Sequence, residues 1–418
     1  MNRILLIGNG FDLANGMKTS YTDFLNDYWK NSFLEYQMKK KSFEPYECDN
    51  FFISATNYFL DRNCENYHDV KEYLKNTRSN FKIKNKFLQL ISEKLQLKNW
   101  VDIEQEFYSN LLSLLNSKEI NEDNLIKELN NNLDNIKRYL ERYLLNISQS
   151  FTIITEIQNY ISQEISSQIV FSEISEDAKN KLFEQAWNSV QYAFRNQLPA
   201  LRKSSLEPLP PSVLKFLSTE NIRNRNLFFK SLHDNSNNIL DDISQTVFVN
   251  FNYTKTEDYY ISPENHVIHI HGELDNNANP IIFGYGDEYD ENYSEIENCG
   301  NDRFLENMKS INYSQTGNYK NLLSTLNEDF YQVCILGHSC GKSDRTLLKT
   351  MFEHENCASI KIYYREFERD GNLYDNYLDI YKSISRNFDD KTKLRDRVVN
   401  KTLCKPIVPI DIQKRNLS

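Results

Sequence analysis

Met1-Asn-Arg-Ile-Leu-Leu-Ile-Gly-Asn-Gly-Phe-Asp12 opens with the apolar run Ile4 to Ile7 and stops it at two glycines one residue apart. A short apolar run ended by glycines and followed by a helix-like pattern with Phe24, Leu25 and Trp29 reads as strand, tight turn and helix. Working outward, the next runs of this kind come late: Thr246-Val-Phe-Val-Asn-Phe251, Val267 to Ile270, Pro280 to Phe283, Val333 to Leu336 and Ile360 to Tyr364. Helical patterns at Arg345 to His354 and Leu373 to Ile384 separate some of them. Strands alternating with helices predict a Rossmann-like α/β fold, a parallel sheet with helices on both faces.

Between the first strand and the later ones the apolar spacing is mainly helical, clearest in Leu125, Leu129, Leu133, Ile136, Leu140, Leu144 and Ile147. The sequence therefore divides into a nucleotide-binding domain, 1–30 with 240–418, and a large helical insertion, 31–239, with a break near Pro208, Pro210 and Pro211 where proline stops a helix. Apolar stripes of that length need a partner face, so the insertion is expected to form a lid or a self-association surface, and the chain to be a homo-oligomer.

Composition narrows the function. A chain of 418 residues can bury a large core, and a formal charge of −10 without a long Lys/Arg stripe disfavours nucleic acid as the main ligand. The 7 cysteines include no C-x-x-C pair, which reads as reduced thiols and no structural zinc. The apolar run before Gly8 is too short for a signal peptide, and no stretch reaches the roughly 20 apolar residues of a membrane span, so the expected location is the cytoplasm.

Four clusters carry chemistry. Gly8-Asn9-Gly10 lies where a backbone can approach a phosphate at a helix start, although Leu13 holds the third glycine position of the dehydrogenase fingerprint. Asp12 reads either as a helix N-cap or as a ligand contact. Asn252, after a strand, can orient a water or a ribose hydroxyl, and can equally be a turn asparagine. His271, before Gly272, reads as a general base, with a metal pair alongside His269 or a core histidine as alternatives; an unperturbed imidazole would lose that role as pH falls through about 6.5. Gly337-His338-Ser339-Cys340-Gly341 has the form of a nucleophile elbow. The only histidine after Ser339 is His354, too close for a hydrolase triad, so Ser339 reads as a ribose or phosphate contact. Trp100-Val-Asp-Ile-Glu104 reads as a core tryptophan beside a solvated acidic face, and Asp12, Asp287, Glu288 and Asp344 show no metal-binding spacing.

Gly8-Asn-Gly-Phe-Asp12 with Thr19-Ser-Tyr21, Trp100-Val-Asp-Ile-Glu104, Phe251-Asn-Tyr-Thr254, His269-Ile-His-Gly272, Gly284-Tyr-Gly-Asp287 and Ile335-Leu-Gly-His-Ser339 together resemble the AbiH family of phage abortive-infection proteins. Their order also resembles, more distantly, sirtuin-like NAD-consuming domains, with Asn9 and Asp12 in place of the sirtuin alanine and serine and without the zinc-binding cysteines. The first resemblance implies antiphage defence with a phage-derived trigger protein. The second implies NAD as substrate, hydrolysed at the nicotinamide N-glycosidic bond without metal. It implies catalytic Asn252 and His271 and nucleotide contacts at Gly8, Gly10, Gly337 and Ser339; Asn9, Phe11, Asp12, Tyr253 and Asp344 complete the expected nucleotide-binding set. The competing expectations are a nucleotide sensor without turnover and a metal-dependent nuclease-type toxin.

Overall fold

A computed structural model describes residues 1–40, 44–54, 62–94, 100–117, 122–197, 224–234 and 243–417. The expected break at Pro208, Pro210 and Pro211 lies outside the described residues. β1 (Asn2–Ile7) is the middle strand of a five-stranded, all-parallel sheet with β5 (Thr246–Asn250), β6 (His266–His269), β7 (Tyr331–Leu336) and β8 (Cys357–Tyr363). The spatial order is β6-β5-β1-β7-β8. β1 pairs Leu5 with Phe248 on one edge and with Cys334 on the other. This is a Rossmann-like α/β arrangement, and its order reverses between β1 and β7.

Alternation along the strands feeds two cores, as a sheet covered on both faces requires. Ile4, Leu6, Val247, Val249, Val333, Ile335, Ile360 and Ile362 pack on one side with Leu347, Met351 and Phe352 of the helix at Arg345–Glu353. Leu5, Ile7, Phe248, Cys334 and Leu336 pack on the other with Ile157 and Ile161 of the helix Thr155–Ile165. That second helix falls within the span read as an insertion, yet it covers the sheet. Its Ile157 and Ile161 are the apolar partners that the buried face needs.

The helical block proper comprises α1 (Asn9–Ala14), which leads out of the sheet, and then α2 (Tyr21–Lys40), α3 (Tyr67–Asn76), α4 (Lys86–Glu93), α5 (Trp100–Ser117) and α6 (Glu122–Ser150). A small antiparallel sheet of β2 (Tyr46–Glu47), β3 (Phe51–Ser54) and β4 (Asn80–Ile83) sits among them. The apolar stripe of α6 finds its partners inside the chain: Leu129, Leu133, Ile136, Leu140 and Leu144 share a core with Phe24, Trp29, Phe107 and, from the C-terminal part, Phe283, Tyr285 and Met308. The stripe therefore gives no reason of its own for self-association.

Two short-range expectations are corrected. Pro280 to Phe283 forms no strand; Ile281, Ile282 and Phe283 are buried as a loop, tied by the Ile282 N–H donating to the His271 carbonyl at 2.8 Å. Leu373 belongs to the hairpin β9 (Glu366–Arg369) and β10 (Asn372–Asp375), and the helix begins only at Tyr377. A buried apolar run reads alike in strand and loop, because periodicity reports burial more directly than backbone pairing. Among the described residues, no helix is long and apolar enough to cross a membrane.

The turns after β1 and β7 lock together. Gly10 N–H donates to the Gly337 carbonyl at 2.8 Å, and Gly337 holds φ +75°, open to glycine but costly for other residues. A Cβ on Gly337 would stand 2.0 Å from Phe11 N. We expect Gly337→Ala to lower unfolding free energy by about 3 kcal/mol or more, read by urea denaturation; parent-like stability would show that the two turns can separate at little cost.

Candidate functional site

The carboxyl ends of all five strands open on one cavity of about 820 Å³, within the range of small-molecule sites. Gly8, Asn9, Gly10 and Asp12 line it after β1, Phe251 to Thr254 after β5, His271 after β6, Gly337 to Ser339 after β7, and Tyr363 at the end of β8. This is the crevice at the reversal of strand order where open α/β sheets bind ligands. The helical block contributes Trp100, Glu104, Leu140 and Leu144 to the same wall.

Of the residues expected from sequence, Asn252, His271, Gly8, Asn9, Gly10, Asp12, Tyr253, Gly337, Ser339 and Asp344 all line the cavity. Phe11 does not: it is fully buried in the core beneath, edge-on to Tyr260 at 5.2 Å, because its position on α1 points it at the sheet. The glycines at 8 and 10 are accounted for by protein packing, since a Cβ on Gly8 would meet His338 Cα at 2.5 Å and one on Gly10 the Gly337 carbonyl at 2.7 Å. Asn9 accepts a hydrogen bond from the Thr19 hydroxyl at 2.6 Å.

Asp12 is no N-cap. Gly8 holds that position, and Asp12 lies within α1, buried, where Thr254 Oγ1 donates to its Oδ2 at 2.6 Å. Among the described residues its Oδ1 and the buried Asn252 Nδ2 make no hydrogen bond of regular geometry, though the Asn252 amide lies close enough to act on the carboxyl. Burial lifts the Asp12 carboxyl to about 7, with Glu257 adding to the shift and Thr254, Thr256 and Asn252 opposing it.

The densest part of the wall is a cluster in which the expected His271 and Asp344 are joined by Lys309, a residue that the sequence reading missed. Lys309 Nζ sits 2.7 Å from Glu104 Oε1 and 2.8 Å from Asp344 Oδ1. Asp344 Oδ1 lies 3.3 Å from His271 Nε2, and its Oδ2 lies 3.5 Å from His338 Nε2. Each of the five residues is at most 5% exposed. Glu104 is thus no solvated face: α5 turns it inward to the ammonium, while the Trp100 indole N–H donates to the Thr19 carbonyl. Nothing in local sequence marks Lys309, which is distant in the chain from both of its partners.

His338 Nδ1 accepts the Cys340 N–H at 3.1 Å, which puts the ring proton on Nε2, facing Asp344. His271 Nε2 faces Asp344 and the Tyr313 hydroxyl, 3.1 Å away, so an acceptor-only carboxylate favours the same tautomer and leaves Nδ1 as the basic nitrogen. Burial, then the Lys309 charge, lowers His271 to about 4 against the pull of Asp344, so the ring is neutral at pH 7. Burial also works against an ionised Asp344, but Lys309 and the His271 contact outweigh it and hold that carboxyl well below the usual range. Glu104 is raised, first by burial and also by Asp344, as two carboxylates share one cation.

The alternatives weighed for the histidines and the elbow separate in space. His269 Nε2 lies 2.8 Å from Glu257 Oε1, so His269 and His271 serve different carboxylates. Among the described residues, no group of three His, Cys, Asp or Glu side chains is arranged to hold a metal ion. Asp287 instead faces Arg345 at 3.5 Å. Ser339 is exposed at the cavity, while His338 and His271 are turned to Asp344.

Residues 200–365 match the family model described as bacteriophage abortive infection AbiH, which supports a role in phage abortive infection. The matched stretch carries Asn252, His271, Lys309, Gly337, Ser339 and Asp344; the turn after β1 and Glu104 lie outside it. No curated protein and no solved structure matches the chain.

Asp12 gives a test that needs no ligand. Its carboxyl moves from an ordinary 3.8 to about 7 on folding, so between those values the unfolded chain ionises while the folded one keeps its proton. Stability should therefore fall as pH rises from 4 to 7, by up to about 4 kcal/mol, and stay level above. Asp12→Asn, which cannot ionise, should gain on the parent over that interval in denaturation at pH 4.5 and 8; an equal difference at both values would show that Asp12 is not held protonated.

Proposed function

We propose that the chain, whose residues 200–365 match the AbiH family, acts in abortive infection by binding NAD in this cavity and hydrolysing its nicotinamide N-glycosidic bond. The observation that carries the reading is that Asn252 and the Asp344-backed His271 line one cavity at the reversal of strand order. Residues from opposite ends of the chain converge there, with the Asn252 amide beside the Asp12 carboxyl.

Loss of nicotinamide breaks the C1′–N bond, with the electron pair leaving on the ring nitrogen, so the ribose gains oxocarbenium character. Such a step asks for positioning in a dry site more than for a strong nucleophile. Asn252 holds a water by its amide, the water oxygen bonds to C1′, and neutral His271 takes the water proton at Nδ1. Asp344 faces the Nε2–H and stabilises the imidazolium as it forms. The products are nicotinamide and ADP-ribose. The Lys309 ammonium, clamped between two carboxylates with its pKa raised, stays protonated and is no nucleophile.

His271→Ala and Asn252→Ala should each lower kcat for NAD by about 10²–10⁴-fold with folding intact. Because burial holds His271 near 4, turnover should not fall at pH 6.5 through this ring, as an ordinary imidazole would require, but only as pH approaches 4. Nicotinamide release followed by chromatography checks both. Parent-like turnover in a folded His271→Ala would remove His271 from the reaction, and NAD binding without product would make the protein a sensor.

A further inference from the structure

Four segments remote in the chain converge on one run of charges. Glu104 comes from α5 in the helical block, Lys309 follows the segment that packs against that block, Asp344 closes the turn after β7, and His271 follows β6. The contacts run Glu104–Lys309 at 2.7 Å, Lys309–Asp344 at 2.8 Å and Asp344–His271 at 3.3 Å, all buried. Lys309 is fixed from its backbone as well, its N–H donating to the Tyr285 carbonyl at 2.8 Å. A Cβ on the neighbouring Gly286 would meet Lys309 Cβ at 2.8 Å, so the stem has little room to swing.

We propose that Lys309, anchored by Glu104 of the helical block, is a positioning residue that acts through Asp344 to fix the tautomer and proton affinity of His271. This rests on reading His271 as the proton acceptor of the site. Two buried carboxylates beside a single cation cannot both ionise freely, and here Asp344 keeps the charge while Glu104 is pushed toward its neutral form. An ionised Asp344 can only accept, so both imidazoles present N–H to it. Without the ammonium, burial favours a protonated Asp344, which can donate a hydrogen bond and no longer dictates where the His271 proton sits. The groups facing His271 are Asp344, Tyr313, His338 and Lys309, with the Phe251 ring against its edge, and Lys309 and Asp344 carry its fixed charges. The helical block thereby belongs to the site itself, through Glu104.

The test reads the imidazoles directly. In the full chain with ¹⁵N-labelled histidine, NMR should show His271 neutral at pH 7 with the proton on Nε2. Lys309→Met should move His271 to a mixed tautomer and shift its pKa by about one unit or more, because the ammonium beside it and the Asp344 charge that the ammonium sustains are lost together. Its kcat for NAD should fall by about 10- to 10⁴-fold, the upper end being what a wrongly held imidazole costs a Ser–His–Asp enzyme, with KM within about threefold. If Lys309→Met does not fold, Lys309→Gln, which keeps hydrogen bonds to both carboxylates but no charge, should shift the same signals in the same direction. A folded neutral variant with unchanged His271 tautomer and pKa overturns the proposal. If the tautomer responds but the parent does not release nicotinamide, the positioning stands and the NAD reading fails.

Discussion

Gly10 N–H to the Gly337 carbonyl, 2.8 Å apart, is the contact on which the rest of the site depends. It joins the turn after the central strand to the turn after its neighbour, where strand order reverses. Parallel pairing of β1 on both edges sets the two turns side by side, and the absence of side chains at 8, 10 and 337 lets them close. With that closure Asp12 faces Thr254, His338 turns to Asp344, and the five strand ends share one cavity.

Burial then divides the ionisable groups into two kinds. Asp344 remains charged because Lys309 is beside it, while Asp12, with hydroxyl partners and no cation, is pushed toward its protonated form. His271 is kept neutral by the same burial and by the Lys309 charge. The wall thus presents one anchored ion pair and a neutral imidazole whose charge states are set by their buried neighbours.

The Glu104–Lys309–Asp344 arrangement is not to be read as net stabilisation. Desolvating such groups offsets most of their attraction, and removing one partner typically costs about 3–5 kcal/mol because the others stay buried and unpaired. Its worth lies in geometry: it ties α5 to the turn after β7 with a directional contact, where the apolar core of the helical block alone would permit small slips.

The sequence by itself determined the strand-and-glycine opening, four of the five later β-rich runs, the helical character of the middle and ten of the residues that line the cavity. Those are local signals: apolar runs bounded by turn residues mark parallel strands, and polar residues just after such strands fall at one end of the sheet whatever the connections do. Phe11 was misread because proximity to a glycine turn says nothing about which side of a short helix faces the core. Glu104 was taken for a solvated face because its partner is Lys309, 205 positions on in the sequence. Only the tertiary structure brings that lysine between two carboxylates, and only it decides the proton affinities of Asp12 and His271. Burial and long-range charge are properties of the packed chain and leave no periodic trace in the sequence.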